Sequence, residues 1–274
     1  MKKLLSAVLV GSALLLVACN SAGSGLPMAD DPESPFLIVE SSGGFVPVEF
    51  QINRLPQAVL LVNRNVIVGG PQIEIYPPPL VPSLQQALLD DATWDLVQDL
   101  VEQSGLPEIV EEQNNDAAAT VADAATTVVT YYDGSSTHIW RVYALQEAAT
   151  HSDPRVTALA SLVTTLQNAG YSGNATAFEM QALQVMAGVP QVAADPQFAD
   201  TQPWPLPVGF DEMTEVGFGW RCAPYDGDTA ADLLDTFQQA NQLTTWDEQG
   251  TEYQIGIQPW FTGQTACAPI EQAG

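Results

Sequence analysis

The N-terminal segment constrains this chain more than any other part of the sequence. Met1-Lys2-Lys3 is followed by fourteen residues, Leu4 to Val17, that are apolar except for two serines and a glycine. As a helix this stretch spans about 21 Å, less than the ~30 Å hydrocarbon core of a bilayer. A basic start and a short apolar stretch are typical of a secretory signal peptide. We therefore expect residues 1–18 to be removed and the rest to fold outside the cytoplasm.

The residues at the end of this segment are more specific. Leu16-Val17-Ala18-Cys19 resembles the lipobox of bacterial lipoproteins. The resemblance implies signal cleavage between Ala18 and Cys19, a thioether-linked diacylglycerol on Cys19, and usually a further N-acyl chain such as palmitate. Two or more acyl chains hold a protein firmly at a membrane. An ordinary secretory signal that contains a cysteine is the alternative.

These features predict the cellular location of the protein. We expect a lipid-anchored protein on the extracytoplasmic face of the cell membrane. Asn20 is not the aspartate that retains some lipoproteins in the inner membrane. If the host has an outer membrane, the protein could therefore go there. Residues 19–35 are small, polar and acidic, and they are predicted to form a flexible tether.

The mature chain has an unusual charge balance, because both lysines lie in the signal segment. Five arginines then face 33 carboxylates, a formal charge of 5 − 33 = −28. The arginines are Arg54, Arg64, Arg141, Arg155 and Arg221. Nucleic-acid binding needs clustered cations and is excluded, as is electrostatic attraction to anionic lipid. The acidity favours divalent cations or a basic partner, or it reflects adaptation to a saline habitat.

The cysteines fit an exported protein. With Cys19 used by lipid, Cys222 and Cys267 remain as a pair in an oxidising compartment. We expect them to form a disulfide that closes a loop of 46 residues (267 − 222 + 1). A catalytic thiol or a metal site is the weaker alternative, since no CxxC motif is present.

Composition divides the folded part. Residues 36–188 combine strand and helix patterns, 189–208 contain five prolines and are predicted to be a linker, and 209–274 form a smaller unit with the disulfide.

Hydrophobic periodicity predicts the elements of the first part. Strands are expected at Val46–Ile52, Ala58–Val62, Val66–Val68, Gln72–Tyr76, Thr126–Tyr132, Thr137–Leu145 and Ala177–Met186. One helix is expected after an Asp91 N-cap, with Gly105 just beyond its end. A second begins at Pro154, capped by Ser152 or Asp153, with a stripe of Val156, Leu159, Leu162, Val163 and Leu166.

The second part repeats this pattern on a smaller scale. A helix is expected from Asp228 or Thr229, with Leu233, Leu234, Phe237 and Ala240 facing inward. A hairpin is expected between Thr244–Trp246 and Thr251–Ile257. Hairpins between adjacent strands and separate helices predict an α+β fold with antiparallel sheets.

Several short motifs give the chain a wider resemblance. They are Gly43–Pro47, Val66–Val68 with Pro71-Gln72 and Tyr76-Pro77, Tyr143–Leu145, Trp204–Pro207, Arg221-Cys222, and Ala240–Thr244 with Trp246. On these residues the chain resembles a group of actinobacterial-type lipoproteins of unknown function. The resemblance implies envelope location and supplies no activity.

No catalytic motif is present. The sequence lacks GxSxG, HExxH and a P-loop, and the expected mature chain lacks the lysine that Schiff-base chemistry needs. His138 is interpreted as a structural or solvent-facing strand residue and His151 as a loop residue. Asp226-Gly227-Asp228 resembles a calcium loop only superficially, and capping of the next helix explains Asp228 better. We expect no metal and no cofactor.

Four of the six tryptophans lie in the last 71 residues: Trp204, Trp220, Trp246 and Trp260. They either form an aromatic face that binds a glycan or peptide, or fill the core of the small disulfide-closed unit. We favour the core.

Two function classes follow. The first is a non-enzymatic envelope lipoprotein that binds an envelope protein or a cell-wall component. The second is an envelope hydrolase with two carboxylates about 5–10 Å apart in a pocket. Arg141 and Arg221 help to discriminate, because an arginine exposed in a concave site favours a carboxylate-bearing ligand, and one paired with an acid is structural.

Overall fold

The computed structural model describes residues 26–44, 51–72, 74–190 and 200–270. Within these ranges the chain forms three α-helices and fourteen strands in two sheets. The predicted α+β class is confirmed. The predicted signal segment 1–18 and residues 19–25 of the predicted tether lie outside the described residues.

The first sheet has eight strands in the order β5-β7-β6-β1-β2-β3-β4-β8. Their bounds are β1 Pro35–Ser42, β2 Ala58–Leu61, β3 Asn65–Gly69, β4 Leu84–Leu88, β5 Glu111–Asn114, β6 Thr126–Tyr132, β7 Thr137–Tyr143 and β8 Thr176–Ala177. All neighbours are antiparallel except β5 and β7. Strand β6 follows β5 in the chain, and the β6–β7 hairpin then places β7 between them. Strand β7 therefore runs parallel to β5.

The second sheet has six strands in the order β10-β13-β14-β9-β12-β11. Their bounds are β9 Ala182–Gly188, β10 Thr201–Pro203, β11 Thr214–Gly217, β12 Trp220–Asp226, β13 Thr245–Glu248 and β14 Thr251–Pro259. One pair, β10 and β13, is parallel, so each of the two sheets is mixed, with one parallel pair among antiparallel neighbours. Strand β9 precedes the Pro-rich segment 189–208 in the chain, yet it lies in the middle of this sheet. Residues 191–199 of that segment are outside the described residues.

Local turn chemistry sets the hairpins. Asp133 closes the β6–β7 turn, where its carboxylate accepts hydrogen bonds from the backbone N–H groups of Ser135 (2.7 Å) and Ser136. Gln249 and Gly250 join β13 to β14 with φ of 55° and 90°. A two-residue turn with both φ values positive matches the right-handed twist of the strands. The predicted β13–β14 hairpin is confirmed, and the two strands predicted at Thr126–Tyr132 and Thr137–Leu145 also pair as a hairpin.

Two helices cover the first sheet. Helix α1 spans Asp91–Ser104, and its N-cap is Asp90, which accepts from Thr93 N–H at 2.7 Å. The prediction of Asp91 as the N-cap is therefore wrong by one residue, since Asp91 already has helical backbone. Gly105 ends the helix in the left-handed region, as predicted.

Helix α2 spans Pro154–Gly170 after an Asp153 cap, and all five residues of its predicted stripe are buried. Gly170 lies against Val68, and a Cβ there would be 2.5 Å from a Val68 methyl carbon. A glycine is thus required for the helix to reach the sheet this closely.

Arg155 connects α2 to the edge of the sheet. Its guanidinium forms ion pairs with Glu112 and Asp153, each at 2.6 Å, and lies 5.0 Å from the ring centre of Trp140. Trp140 is fully buried in the cluster between the helices and the first sheet. The side-chain hydrogen bond from Arg155 lowers the pKa of Asp153, and the same pairing raises the pKa of Arg155.

Helix α3 spans Gly227–Phe237 and packs on the second sheet. Its N-cap residue is Asp226, whose side chain makes no capping hydrogen bond, so neither Asp228 nor Thr229 begins the helix. Asp228 lies in the first turn, where a negative charge interacts favourably with the helix dipole. Leu233 and Phe237 are buried as predicted, Leu234 is half-buried, and Ala240 lies beyond the last helical residue.

The other face of the first sheet shares a core with the second sheet. Ile38, Val59 and Ile67 belong to the same buried cluster as Val185, Ile257 and Phe237. This shared core holds the two sheets together. Elsewhere their facing surfaces are separated by a cleft.

The predicted disulfide is confirmed. Cys222 on β12 and Cys267 in the C-terminal segment are bonded, with their Cα atoms 5.4 Å apart. Cys222 is buried beside Ile52, Met186 and Trp220.

Two strand predictions are wrong. Gln51 and Ile52 have helical backbone, and the rest of the Val46–Ile52 prediction falls outside the described residues. Gln72–Tyr76 contains no strand among its described residues, and β3 pairs instead with β4, a strand that the sequence interpretation missed. The predicted strand Ala177–Met186 is largely β9, which ends two residues later.

The chain is already attached to the body at Leu26. This side chain is buried in the helix-side core, and the Pro27 carbonyl accepts a hydrogen bond from the Tyr131 hydroxyl at 2.8 Å. Burial, with a smaller contribution from the charge of Asp133, raises the pKa of Tyr131 to about 12. Within the described ranges, no helix is long and apolar enough to cross a membrane.

Candidate functional site

A cleft of about 480 Å³ lies between the two sheets. Strands β1, β6 and β7 form one wall, and β9, β14 and the segment 263–270 form the other. Residues 51–56 line one side. This volume is in the range of small-molecule sites in proteins.

Strand register builds the first wall. Glu40 pairs with Val128, and Val128 with Arg141, so these three form one row across β1, β6 and β7. Thr130 and Ile139 form the next row toward the β6–β7 turn. Because side chains alternate along a strand, both rows point away from helices α1 and α2 and into the cleft.

Two glutamines fix the second wall. Gln258 Nε2 donates to the carbonyls of Gln51 and Ile52, each at 3.1 Å, and Gln184 Nε2 donates to Gln258 Oε1 at 2.9 Å. Gln184 Oε1 accepts from the Cys267 N–H at 2.9 Å. This chain of hydrogen bonds connects residues 51–52, β14, β9 and the C-terminal segment. The disulfide reinforces it at Cys267.

Among the described residues that line the cleft, Arg54 is the arginine without an acidic partner. Its guanidinium donates to the backbone carbonyls of Ser41 (2.5 Å) and Gly43 (3.2 Å), and to no carboxylate among the described residues. Partial burial lowers the pKa of Arg54 below its ordinary value. A guanidinium has five N–H donors, so three remain for another group.

Arg141 also lines the cleft, but it is paired. Its guanidinium lies 2.6 Å from Glu111, and its side chain is 24% exposed. An arginine that pairs with an acid was expected to be structural, and Arg141 is therefore assigned a structural role. Arg221 is outside the cleft: it donates to the carbonyls of Asp211 and Met213 and lies over the Phe210 ring.

Two hydroxyl groups face the cleft near Arg141. Thr130 is only 8% exposed, and its hydroxyl has no hydrogen-bond partner in the described part of the chain. Burial and then the nearby charge of Glu40 raise the pKa of Tyr132 to about 12. Tyr132 therefore stays protonated and can donate a hydrogen bond at neutral pH.

The histidines lie outside this cleft, in structural positions. His138 stacks on Tyr131 and places its two ring nitrogens against the Ile109 carbonyl and the Asp133 carboxylate. Hydrogen bonds from Ser135, His138 and Ser136 lower the pKa of Asp133 well below its ordinary range. His151 contacts Asn114 Oδ1 at 3.0 Å. These contacts agree with the interpretation of His138 as a structural strand residue and of His151 as a loop residue.

The tryptophans follow the core interpretation. Trp220 and Trp246 are buried, and Trp204 and Trp260 are half-buried with their indole N–H groups donated to the carbonyls of Val208 and Gln264. No exposed aromatic face results from these four. Among the residues that the structure describes, no group of three or more His, Cys, Asp or Glu side chains is placed to hold a metal ion.

The described residues of the cleft do not include the carboxylate pair that a hydrolase needs. Glu40 is the one acidic residue among its described lining residues. With Arg54 and Arg141, the lining carries a formal charge of 2 − 1 = +1, in a chain of formal charge −26.

Sequence reasoning missed Arg54, Thr130, Tyr132, Gln184 and Gln258 as site residues. One signal was available for Arg54, since an arginine is rare in this chain and no acid lies within ten residues on its C-terminal side. The others have no local signal, because their position depends on how the sheets meet.

Comparisons with protein-family models, with curated proteins and with solved structures found no match to this chain.

Proposed function

We propose that this protein is a lipid-anchored envelope lipoprotein that binds its ligand in the cleft between the two sheets and performs no reaction on it. The cleft carries the proposal. It is concave, its second wall is fixed by glutamine hydrogen bonds and a disulfide, and its described lining residues offer hydrogen-bond donors and a single carboxylate. Preformed concave sites with a few placed polar groups are typical of binding proteins.

The anchoring half of the proposal rests on Leu16–Cys19 and on the resemblance to actinobacterial-type lipoproteins. A mature chain with 28 excess negative charges has no electrostatic attraction to an anionic membrane, so a lipid on Cys19 would have to hold it there. In this proposal an envelope protein or a cell-wall component supplies the ligand.

Replacing Cys19 tests the anchor. We expect Cys19→Ser to leave the membrane fraction and to lose palmitate labelling, because the acylated thiol is gone. The full-length chain would be expressed in its host and measured by fractionation and labelling. Asn20→Ser, which keeps Cys19, should behave as the wild type. Membrane retention of Cys19→Ser would contradict the anchor.

Blocking the cleft tests the binding site. Thr137 is exposed at the start of β7 and lines the cleft, so Thr137→Trp places a large side chain there without disturbing the core. We expect it to abolish recovery of the molecules that co-purify with the wild type from intact envelopes, measured by mass spectrometry. Thr164→Trp, on an exposed position of α2, is the matched control. Equal recovery by Thr137→Trp would refute the cleft as the site.

A further inference from the structure

Arg54 indicates which class of ligand the cleft binds. This cation is partly buried, and its two hydrogen bonds to carbonyls use its N–H donors without neutralising its charge. Desolvating a positive charge is unfavourable, which is why burial lowers the pKa of Arg54. An anion that enters the cleft would supply the missing counter-charge.

Thr130 is an independent observation that points to the same space. More than nine-tenths of this residue is buried, yet its hydroxyl has no partner in the described residues and it lies on the cleft wall. The hydroxyl oxygen itself is not fully buried, so water or a ligand in the cleft can reach it and satisfy it. The hydroxyl can donate to or accept from a ligand hydroxyl.

We infer that the cleft binds a small hydroxylated organic acid, whose carboxylate pairs with Arg54 and whose hydroxyl groups contact Thr130 and Tyr132. The lining agrees with such a molecule, since it combines these hydroxyls with the apolar side chains of Ile139 and Met186. Arg–carboxylate pairs are frequently bidentate, and their hydrogen bonds are stronger than neutral ones. The inference rests on the proposed function, because it names the ligand of the proposed site.

Glu40 limits where the carboxylate can bind. It is the acidic residue of the described lining, and it lies in the row of Arg141 on the first wall. A ligand carboxylate beside Glu40 would be repelled, whereas one at Arg54 would be attracted. The Glu40 carboxylate can instead accept a hydrogen bond from a ligand hydroxyl.

The test compares D-glucuronate with D-glucose on the full mature chain by isothermal titration calorimetry. Both sugars carry hydroxyls, and only glucuronate carries a carboxylate. We expect glucuronate to bind at least about tenfold more tightly, in line with a charge-assisted hydrogen bond. Equal binding of the two sugars would overturn the assignment of an anion.

Two variants locate the contacts. Arg54→Gln should weaken glucuronate binding about thirtyfold and leave glucose binding unchanged, because it removes the charge and keeps an N–H donor. Circular dichroism would check its fold. Thr130→Val keeps volume and should weaken binding about fivefold without loss of fold. Thr127→Val, on the opposite face of β6, is the matched control. Undiminished glucuronate binding by folded Arg54→Gln would refute the assignment.

Failure of this inference differs from failure of the proposed function. If glucuronate does not bind, but Thr137→Trp still abolishes recovery of the envelope ligand, the chemistry is wrong and the cleft remains the site. If glucuronate binds the wild type and Thr137→Trp equally, both are wrong.

Discussion

Removal of the Cys222–Cys267 disulfide is expected to lower the free energy of unfolding by about 4 kcal/mol. The bond closes a loop of 46 residues (267 − 222 + 1), and the chain-entropy model assigns this cost to the added freedom of the unfolded chain. The measurement is urea denaturation of the double variant Cys222→Ala/Cys267→Ala. Reduced wild-type protein is the matched control and should unfold at nearly the same urea concentration. A loss below about 1 kcal/mol would contradict the entropic account.

The same variant has a local consequence for the cleft. The segment 263–270 is held by the disulfide, by the Cys267 N–H bond to Gln184 and by the Ile270 N–H bond to Val216. Without the first of these, we expect faster amide hydrogen exchange in 263–270, with β6 and β7 unchanged. Uniform acceleration across both sheets would indicate global rather than local loosening.

Replacement of Trp140 by alanine is expected to cost about 3–5 kcal/mol. Trp140 is fully buried, packs between the first sheet and its helices, and lies under the Arg155 guanidinium. The substitution leaves a cavity and removes the surface on which Arg155 rests while it pairs with Glu112 and Asp153. Thermal or urea unfolding measures the loss.

The control for this prediction is Leu96→Ala. Leu96 lies in α1 and is 46% exposed, so its truncation should cost less than about 1 kcal/mol. Trp140→Phe should fall between the two, because a smaller ring still fills part of the space. Equal losses for Trp140→Ala and Leu96→Ala would contradict the packing described for Trp140.

The elements that the sequence predicted well are those with local causes. The Asp133–Ser136 turn is closed by its own side chains, and the β13–β14 turn needs only two residues with positive φ. The α2 stripe and its Asp153 cap are likewise contained within one helix and its preceding residue. Such signals need no knowledge of the rest of the chain.

The failures have non-local causes. Gln72–Tyr76 alternates like a strand, but the open edge of β3 is taken by Leu84–Leu88, which has two glutamines and little strand character in sequence. Strand β9 joins the second sheet across the Pro-rich segment because its neighbours β12 and β14 come later in the chain. Periodicity cannot choose between partners so far apart.

The candidate site is non-local throughout. The cleft brings together Glu40, Arg54, Thr130, Gln184 and Gln258, which come from separate parts of the chain. No spacing connects them, so the sequence could predict the scarcity of arginine and not its placement in a cleft. The disulfide could be predicted from the expectation of export and of a lipid on Cys19, which leaves Cys222 and Cys267 to pair.

The attachment of Leu26 and Pro27 restricts the freedom that an acylated protein would have at a bilayer. From Cys19 to Leu26 there are seven residue steps (26 − 19), which reach at most about 25 Å in any conformation. Tyr131, which binds Pro27, points to the helix side of the first sheet, and the cleft is on the other side. With a lipid on Cys19, the body would be confined close to the bilayer with a limited range of orientations. The cleft would then be reached from the side of the molecule away from its point of attachment.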